Sequence, residues 1–179
     1  ADGLIAVAAG AGGHAGTWSP FALVQEIREW FSGPLRLSGS IATGRSVLAA
    51  QAMGADLAYI GSAFIATDEA NAADAYKDEI VRSGAADIVY TSFFTGVHGN
   101  YLRGSITAAG LEPDALPDRD PTQMDFGSGS SKSKAWKDIW GSGQGIGRVK
   151  SRGSTRELVD RLVTEYHDAR NGLCSPSTG

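Results

Sequence analysis

His14 lies in the stretch AAGAGGHAG (residues 8–16), where four glycines surround one imidazole directly after the apolar run LIAVA. An imidazole titrates near neutral pH and serves as a general base or a hydrogen-bond donor. Glycine gives up packing and costs backbone entropy, so such a cluster marks a tight turn or a place where a ligand approaches the backbone. Two further turns, SGSIATG (38–44) and IGSAFIATDE (60–69), place glycine and serine after strand-like runs. There, backbone N–H groups and a hydroxyl can converge on an oxyanion. Either turn alone reads equally well as an ordinary connection, but two in succession favour a phosphorylated ligand. GAGGHA also fits the dinucleotide pattern G-x-G-x-x-A. The following helix signal starts only at Ser19-Pro20, however, and the next strand ends in Ser38 rather than an acid, which speaks against a Rossmann unit.

The other chemistry-bearing residues compete less well. His98 follows TSFFTG and would be at most a secondary substrate contact, while His167 reads as a solvated histidine in the last helix. Trp18, Phe93, Phe94, Trp136 and Trp140 could wall a substrate pocket, although aromatics at such spacing more often fill a core. GSGQGIG (141–147) is either a contact at the mouth of the site or a flexible loop.

Positioning these groups falls to alternating strands and helices. LIAVA is continuously apolar, as a parallel strand buried on both faces would be. Ser19-Pro20 then reads as an N-cap with proline in the first turn, and Phe21, Val24, Ile27 and Phe31 recur at helical spacing. LRLSGSIATG gives a second strand and turn, and RSVLAAQAM a second helix closed by Gly54. DLAYIGSAF supplies a third strand, with a helix from about Asn71 to Ser83 after it. Three strands each leading through a small-residue turn toward a helix predict βα units and a parallel sheet. From residue 85 the pattern changes. DIVYTSFFTG is strand-like, but Gly96 to Arg152 shows little periodicity and includes the polar run GSGSSKSK, reading as either a solvated connector or a lid. Ser154 and Glu157 form a capping box for a closing amphipathic helix.

Composition narrows the partners. With 179 residues, 42% of them apolar, the chain can bury a real core. Its net charge of −4 comes without a basic stripe, which disfavours nucleic acid and anionic membranes. The single cysteine, Cys174, fits a reducing, cytoplasmic compartment and offers no metal site. ADGLIAVA begins inside what reads as a buried strand, so the expectation is that further residues precede it.

AGAGGHAG, followed by SGSIATGRSVLAAQAMGADLAYIGSAFIATDEA and VYTSFFTG, resembles the C-terminal half of the nitronate monooxygenase family, formerly called 2-nitropropane dioxygenases. The resemblance runs from Asp2 to about Thr95 and more loosely through WGSGQGIGRV to the closing helix. It implies an α/β fold of the TIM (β/α)8 barrel type, with LIAVA as the sixth strand and about five βα units supplied upstream or by another segment. Residues 1–84 would be barrel, and 85–179 an extension and closing helix. It implies an FMN cofactor, with Gly12 and Gly13 against the flavin and His14 projecting toward its reactive face. The phosphate would be bound by Gly39 and Ser40 after the seventh strand and by Gly61 and Ser62 after the eighth, with Tyr59 and Ile60 leading in. The implied reaction is oxidation of a nitronate by molecular oxygen, His14 abstracting the α-proton of a nitroalkane or holding the nitronate anion. The chain departs from the family pattern at Ser40, where glycine is usual, at Tyr59 for glutamine, at Ser62 for threonine, and at Val7, where a glutamine often stands. Two alternatives remain: an NAD(P)H-dependent enoyl-thioester reductase, which shares the A-G-G-H signature, and a non-catalytic binder of a phosphorylated ligand.

Overall fold

The computed structural model describes residues 1–118 and 138–174. Three strands, β1 (Leu4–Val7), β3 (Leu35–Ser38) and β4 (Leu57–Tyr59), form a parallel sheet in the order β1-β3-β4. The register pairs Leu4 with Leu35 and Ala6 with Leu37. These side chains share one face and pack with Val24, Ala50 and Ala55 from the flanking helices into a fully apolar cluster. Each large side chain buried there is worth about 1.5–3 kcal/mol.

The helices begin and end where local chemistry directs. α1 (Pro20–Arg28) starts with the Ser19 hydroxyl accepting from the Phe21 N–H. α2 (Gly44–Ala52) is capped by a reciprocal pair between Thr43 and Ser46. It closes at Gly54, φ +109°, with Gly54 N–H donating to Gln51 O and Ala55 N–H to Ala50 O. This pair of bonds is the Schellman arrangement, which a glycine at that position permits. A single turn of helix, α3 (Ser62–Ile65), starts immediately after β4, before α4 (Asp74–Arg82). α4 therefore begins three residues later than the expected Asn71, with Ala73 offering no side-chain cap. The capping box at Ser154 and Glu157 forms as expected, and the closing helix runs Thr155–Cys174. The Ser154 N–H holds the Glu157 carboxyl below its usual range.

Residues beyond 84 depart most from the sequence expectation. β5 (Ile88–Thr91) appears as foreseen, but Gly99–Leu102, within the stretch read as connector or lid, is a strand buried at every position. This strand, β6, is the centre of a second, antiparallel sheet ordered β2-β6-β5, where β2 is Gly13–His14. Its sequence GNYL neither alternates nor carries β-branched residues, so the usual strand signal is missing. α5 (Arg103–Ala108) follows, and a 3-10 turn at Gln144–Arg148 buries Ile146 beside Ile80 and Leu102. Much of the connector is therefore core. GSGSSKSK and Trp136 lie outside the described residues. No helix among the described residues is long and apolar enough to cross a membrane.

The opposite face of the parallel sheet is uncovered. Ile5, Arg36 and Leu57 form one cross-strand row and Val7, Ser38 and Tyr59 the next. Ile5, Val7, Leu57 and Tyr59 are between 40% and 53% exposed.

Candidate active site

Gly12, Gly39, Ser40, Tyr59, Gly61 and Ser62 line one cleft at the carboxyl ends of β3 and β4, together with Gly10, Ala11, Gly143 and Gly145. Ligands in parallel α/β sheets bind at this end of the strands. Gly39 has φ +143° and Ser40 φ +56°, the one non-glycine residue with positive φ among those described. A serine in that conformation costs roughly 1–2 kcal/mol relative to a relaxed backbone. Among the described residues, the backbone N–H groups of Ser40, Ile41, Gly61 and Ser62 donate to no protein acceptor. The Ser62 hydroxyl accepts from the Gly143 N–H at 2.8 Å, which leaves its own proton to donate. Several donors thus face one small cleft without a carboxylate among its lining residues.

The glycines divide into two groups. A Cβ at Gly12 would stand 2.8 Å from the Gly143 N, and one at Gly143 would stand 2.8 Å from the Gly10 O. These two stretches pack backbone against backbone, and Gln144 N–H donates to Gly10 O at 2.9 Å. GSGQGIG is therefore built into the site wall. At Gly13 (φ +69°) and Gly61, by contrast, an added Cβ would meet nothing within 4 Å. Open space beside the backbone is what a flat ligand ring requires. Ser142, between these segments, is fully buried, and its hydroxyl has no hydrogen-bond partner among the described residues.

His14 does not line the cleft. It stands in β2, paired to β6 through His14 opposite Gly99 and Gly13 opposite Asn100. The buried Asn100 amide donates to Ala11 O at 2.7 Å, and Ala15 N–H donates to His98 O. His14 Nε2 lies 3.0 Å from the Thr95 hydroxyl. Neither Thr95 nor the β6 backbone was among the expected site residues, and the one sequence cue to them is the Thr-Gly pair ending TSFFTG. Ile60, expected at the phosphate turn, packs against the cluster around Ile80 and Leu102 rather than lining the cleft.

The remaining candidates have structural surroundings. His98 stacks on Tyr90 with ring centroids 4.9 Å apart and sits 3.5 Å from Asp118. His167 meets Tyr166 edge-on in the closing helix. Phe94 packs on Tyr101, and Trp140 stacks on Tyr76, whose half-buried hydroxyl donates to Gly141 O. Burial pushes that phenol up to about 12. Trp18 is largely exposed.

Parallel βα units with a donor-lined cleft at their carboxyl ends, and a histidine on an adjoining antiparallel ribbon, define an α/β protein of the barrel-forming kind. The chain belongs to the nitronate monooxygenase family, which it matches over residues 1–165. It is 28% identical over 179 residues to the nitronate monooxygenase of Paraburkholderia phytofirmans, covering 92% of this chain and 49% of that protein. The structure of nitroalkane oxidase from Streptomyces ansochromogenes superposes with a TM-score of 0.74 at 28% identity, covering 97% of this chain and 54% of that one. FabK from Thermotoga maritima shares the fold, with a TM-score of 0.72 at 23% identity over 97% of this chain and 57% of its own. The chain spans about half the length of the curated relatives it matches.

Proposed function

We propose that this chain carries the base and the phosphate site of an FMN-dependent nitronate monooxygenase, an enzyme that oxidises alkyl nitronates with molecular oxygen. The observation that carries the reading is the cleft of unpaired N–H donors and serine hydroxyls at the ends of β3 and β4, in a chain of this family. Gly39, Ser40, Gly61 and Ser62 would hold the FMN phosphate, with Tyr59 and Ile60 leading into the second turn. Gly12 and Gly13 would border the ring, and the open space beside Gly13 and Gly61 suits it. FMN, when bound, supplies the electron-accepting ring, and the protein supplies position and charge.

His14 does the proton chemistry. With a neutral nitroalkane its unprotonated nitrogen takes the α-proton and the ring becomes an imidazolium beside the nitronate. With a preformed nitronate no proton is removed, and the imidazole acts only by placing the anion.

In this reading β1, β3 and β4 are the sixth, seventh and eighth strands of a (β/α)8 barrel. Their uncovered apolar rows face its interior, and about five βα units from another segment complete it. Support comes from the half-length match to relatives and from the exposure of Ile5, Val7, Leu57 and Tyr59. A three-stranded sheet cannot close, because its edge strands keep unpaired backbone.

The deciding experiment replaces His14 with Asn in the complete protein. Turnover of a neutral nitroalkane, without NAD(P)H, should fall by about 100-fold or more, the scale of a positioned acid–base group. Turnover of the preformed nitronate should fall less, and flavin content should stay at the wild-type level. Equal loss on both substrates would make His14 an anion-binding residue. Full activity on both would remove it from the chemistry, and a requirement for NAD(P)H would favour the enoyl-thioester reductase reading.

A further inference from the structure

We propose that Thr95 is the positioning residue of the site: its hydroxyl accepts a hydrogen bond from His14 Nε2–H and so places the basic lone pair on Nδ1. The inference rests on the reading of His14 as the base and adds which nitrogen acts.

The geometry around one oxygen carries it. Thr95 Oγ1 lies 2.8 Å from Val97 O, 3.2 Å from Val97 N and 3.0 Å from His14 Nε2. A carbonyl oxygen can only accept and a backbone N–H can only donate. The single hydroxyl proton goes to Val97 O, the shortest of the three contacts, and Val97 N–H donates back. Oγ1 then meets the ring as an acceptor, so Nε2 must carry the proton. In a neutral imidazole the protonated nitrogen donates and the other accepts, and the partner of one nitrogen fixes the role of its neighbour. The Tyr101 hydroxyl also lies against Thr95. Oγ1 has two lone pairs, one taken by the Val97 N–H and the other by the ring, so the phenol directs its own proton elsewhere.

The mounting of Thr95 suits this role. It sits midway along the loop between β5 and β6, and β6 pairs directly with the strand bearing His14. The loop is locked by Gly96 N–H donating to Ser92 O at 2.8 Å, and by the Ala15 N–H bond to His98 O. Ring and hydroxyl are thus carried on one antiparallel ribbon, and the 3.0 Å contact links residues 81 positions apart.

The test reads the tautomer directly. In the complete, flavin-loaded protein labelled with 15N-histidine, the His14 signal is assigned by its loss in His14→Asn. Nitrogen chemical shifts and ring couplings then report which nitrogen is protonated. The wild type should show the Nε2–H form. Thr95→Val, nearly isosteric but without an acceptor, should lose that preference, and Thr95→Ser should restore it. Turnover of a neutral nitroalkane should fall about three- to tenfold in Thr95→Val, the worth of one hydrogen bond, and recover in Thr95→Ser. Turnover of preformed nitronate should change little. A wild-type ring protonated at Nδ1, or a tautomer unchanged in Thr95→Val, overturns the role of Thr95 whatever the activities are. An Nε2–H ring combined with full nitroalkane turnover in His14→Asn overturns instead the base assignment on which the catalytic part rests.

Discussion

Replacing Ser40 with glycine should make the protein more stable and its cofactor site weaker, two effects of opposite sign from one side chain. Ser40 has φ +56°, a region that costs an L-residue roughly 1–2 kcal/mol and glycine nothing. Glycine returns about 0.5–1 kcal/mol of that through its larger unfolded-state entropy. The net gain on urea denaturation of the flavin-free protein is therefore about 0.5–1 kcal/mol. The hydroxyl sits over Gly10, where a Cβ would come 2.2 Å from it, and in the proposed site it donates to a phosphate oxygen. A hydrogen bond to a charged group is worth about 1.5–3 kcal/mol, so flavin retention should weaken about 10- to 100-fold. Ser40→Ala separates the contributions, since alanine keeps the strained φ and loses the hydroxyl. It should retain flavin as poorly as the glycine variant without gaining stability. A Ser40→Gly protein less stable than wild type, or one holding flavin equally well, would refute the reasoning.

Gly44→Ala in the first turn of α2 sets propensity against packing. Alanine is the better helix former by up to about 1 kcal/mol, but its Cβ would stand 2.1 Å from Leu162 O and 2.2 Å from Tyr166 N of the closing helix. Overpacking against backbone should win, with a loss of about 2 kcal/mol in chemical denaturation and unchanged flavin content. Burial raises the Glu79 carboxyl above its usual value, against the lowering effect of the Ser105 and Gly104 N–H groups. A folded pKa above the unfolded one means the native state holds the proton longer, so stability falls as pH rises through that window. Glu79→Gln should flatten this slope, and its stability relative to wild type should rise as the pH climbs above the usual carboxylate range, as followed by denaturant titration at each pH.

The parallel sheet was legible because each of its signals is local. LIAVA is a short apolar run, LRLS alternates leucine with polar residues, Ser19 and Ser154 are caps that act within three residues, and Gly54 is a stop that needs only its own positive φ. The two small-residue turns were legible as turns for the same reason, since Gly39, Ser40, Gly61 and Ser62 follow their strands directly, and the structure brings them into one cleft. β6 was not legible. GNYL forms a strand because β5 pairs with it across the 92–98 loop and Gly13, His14 and Gly141 pair with it from far along the chain, and its own four residues carry little of that information. Thr95 stayed hidden likewise, its partner lying 81 residues earlier. The glycines of GSGQGIG signal close approach, but only the fold shows that what approaches Gly143 is the backbone of Gly10 and Gly12.

The turns proposed to hold a phosphate hang from the parallel sheet, whereas His14 rides on the antiparallel ribbon of β2, β6 and β5, and residues 8–12 are the shortest chain link between the two. On the proposed function, anchorage and reactivity therefore sit on separate sheets. Variation in the β5–β6 loop can re-aim the imidazole by fractions of an ångström, whereas β6 itself reaches the cleft wall through Asn100, which donates to Ala11 O. On the proposed function, a lineage of such proteins can change the compound it deprotonates through that loop without having to rebuild its grip on the cofactor.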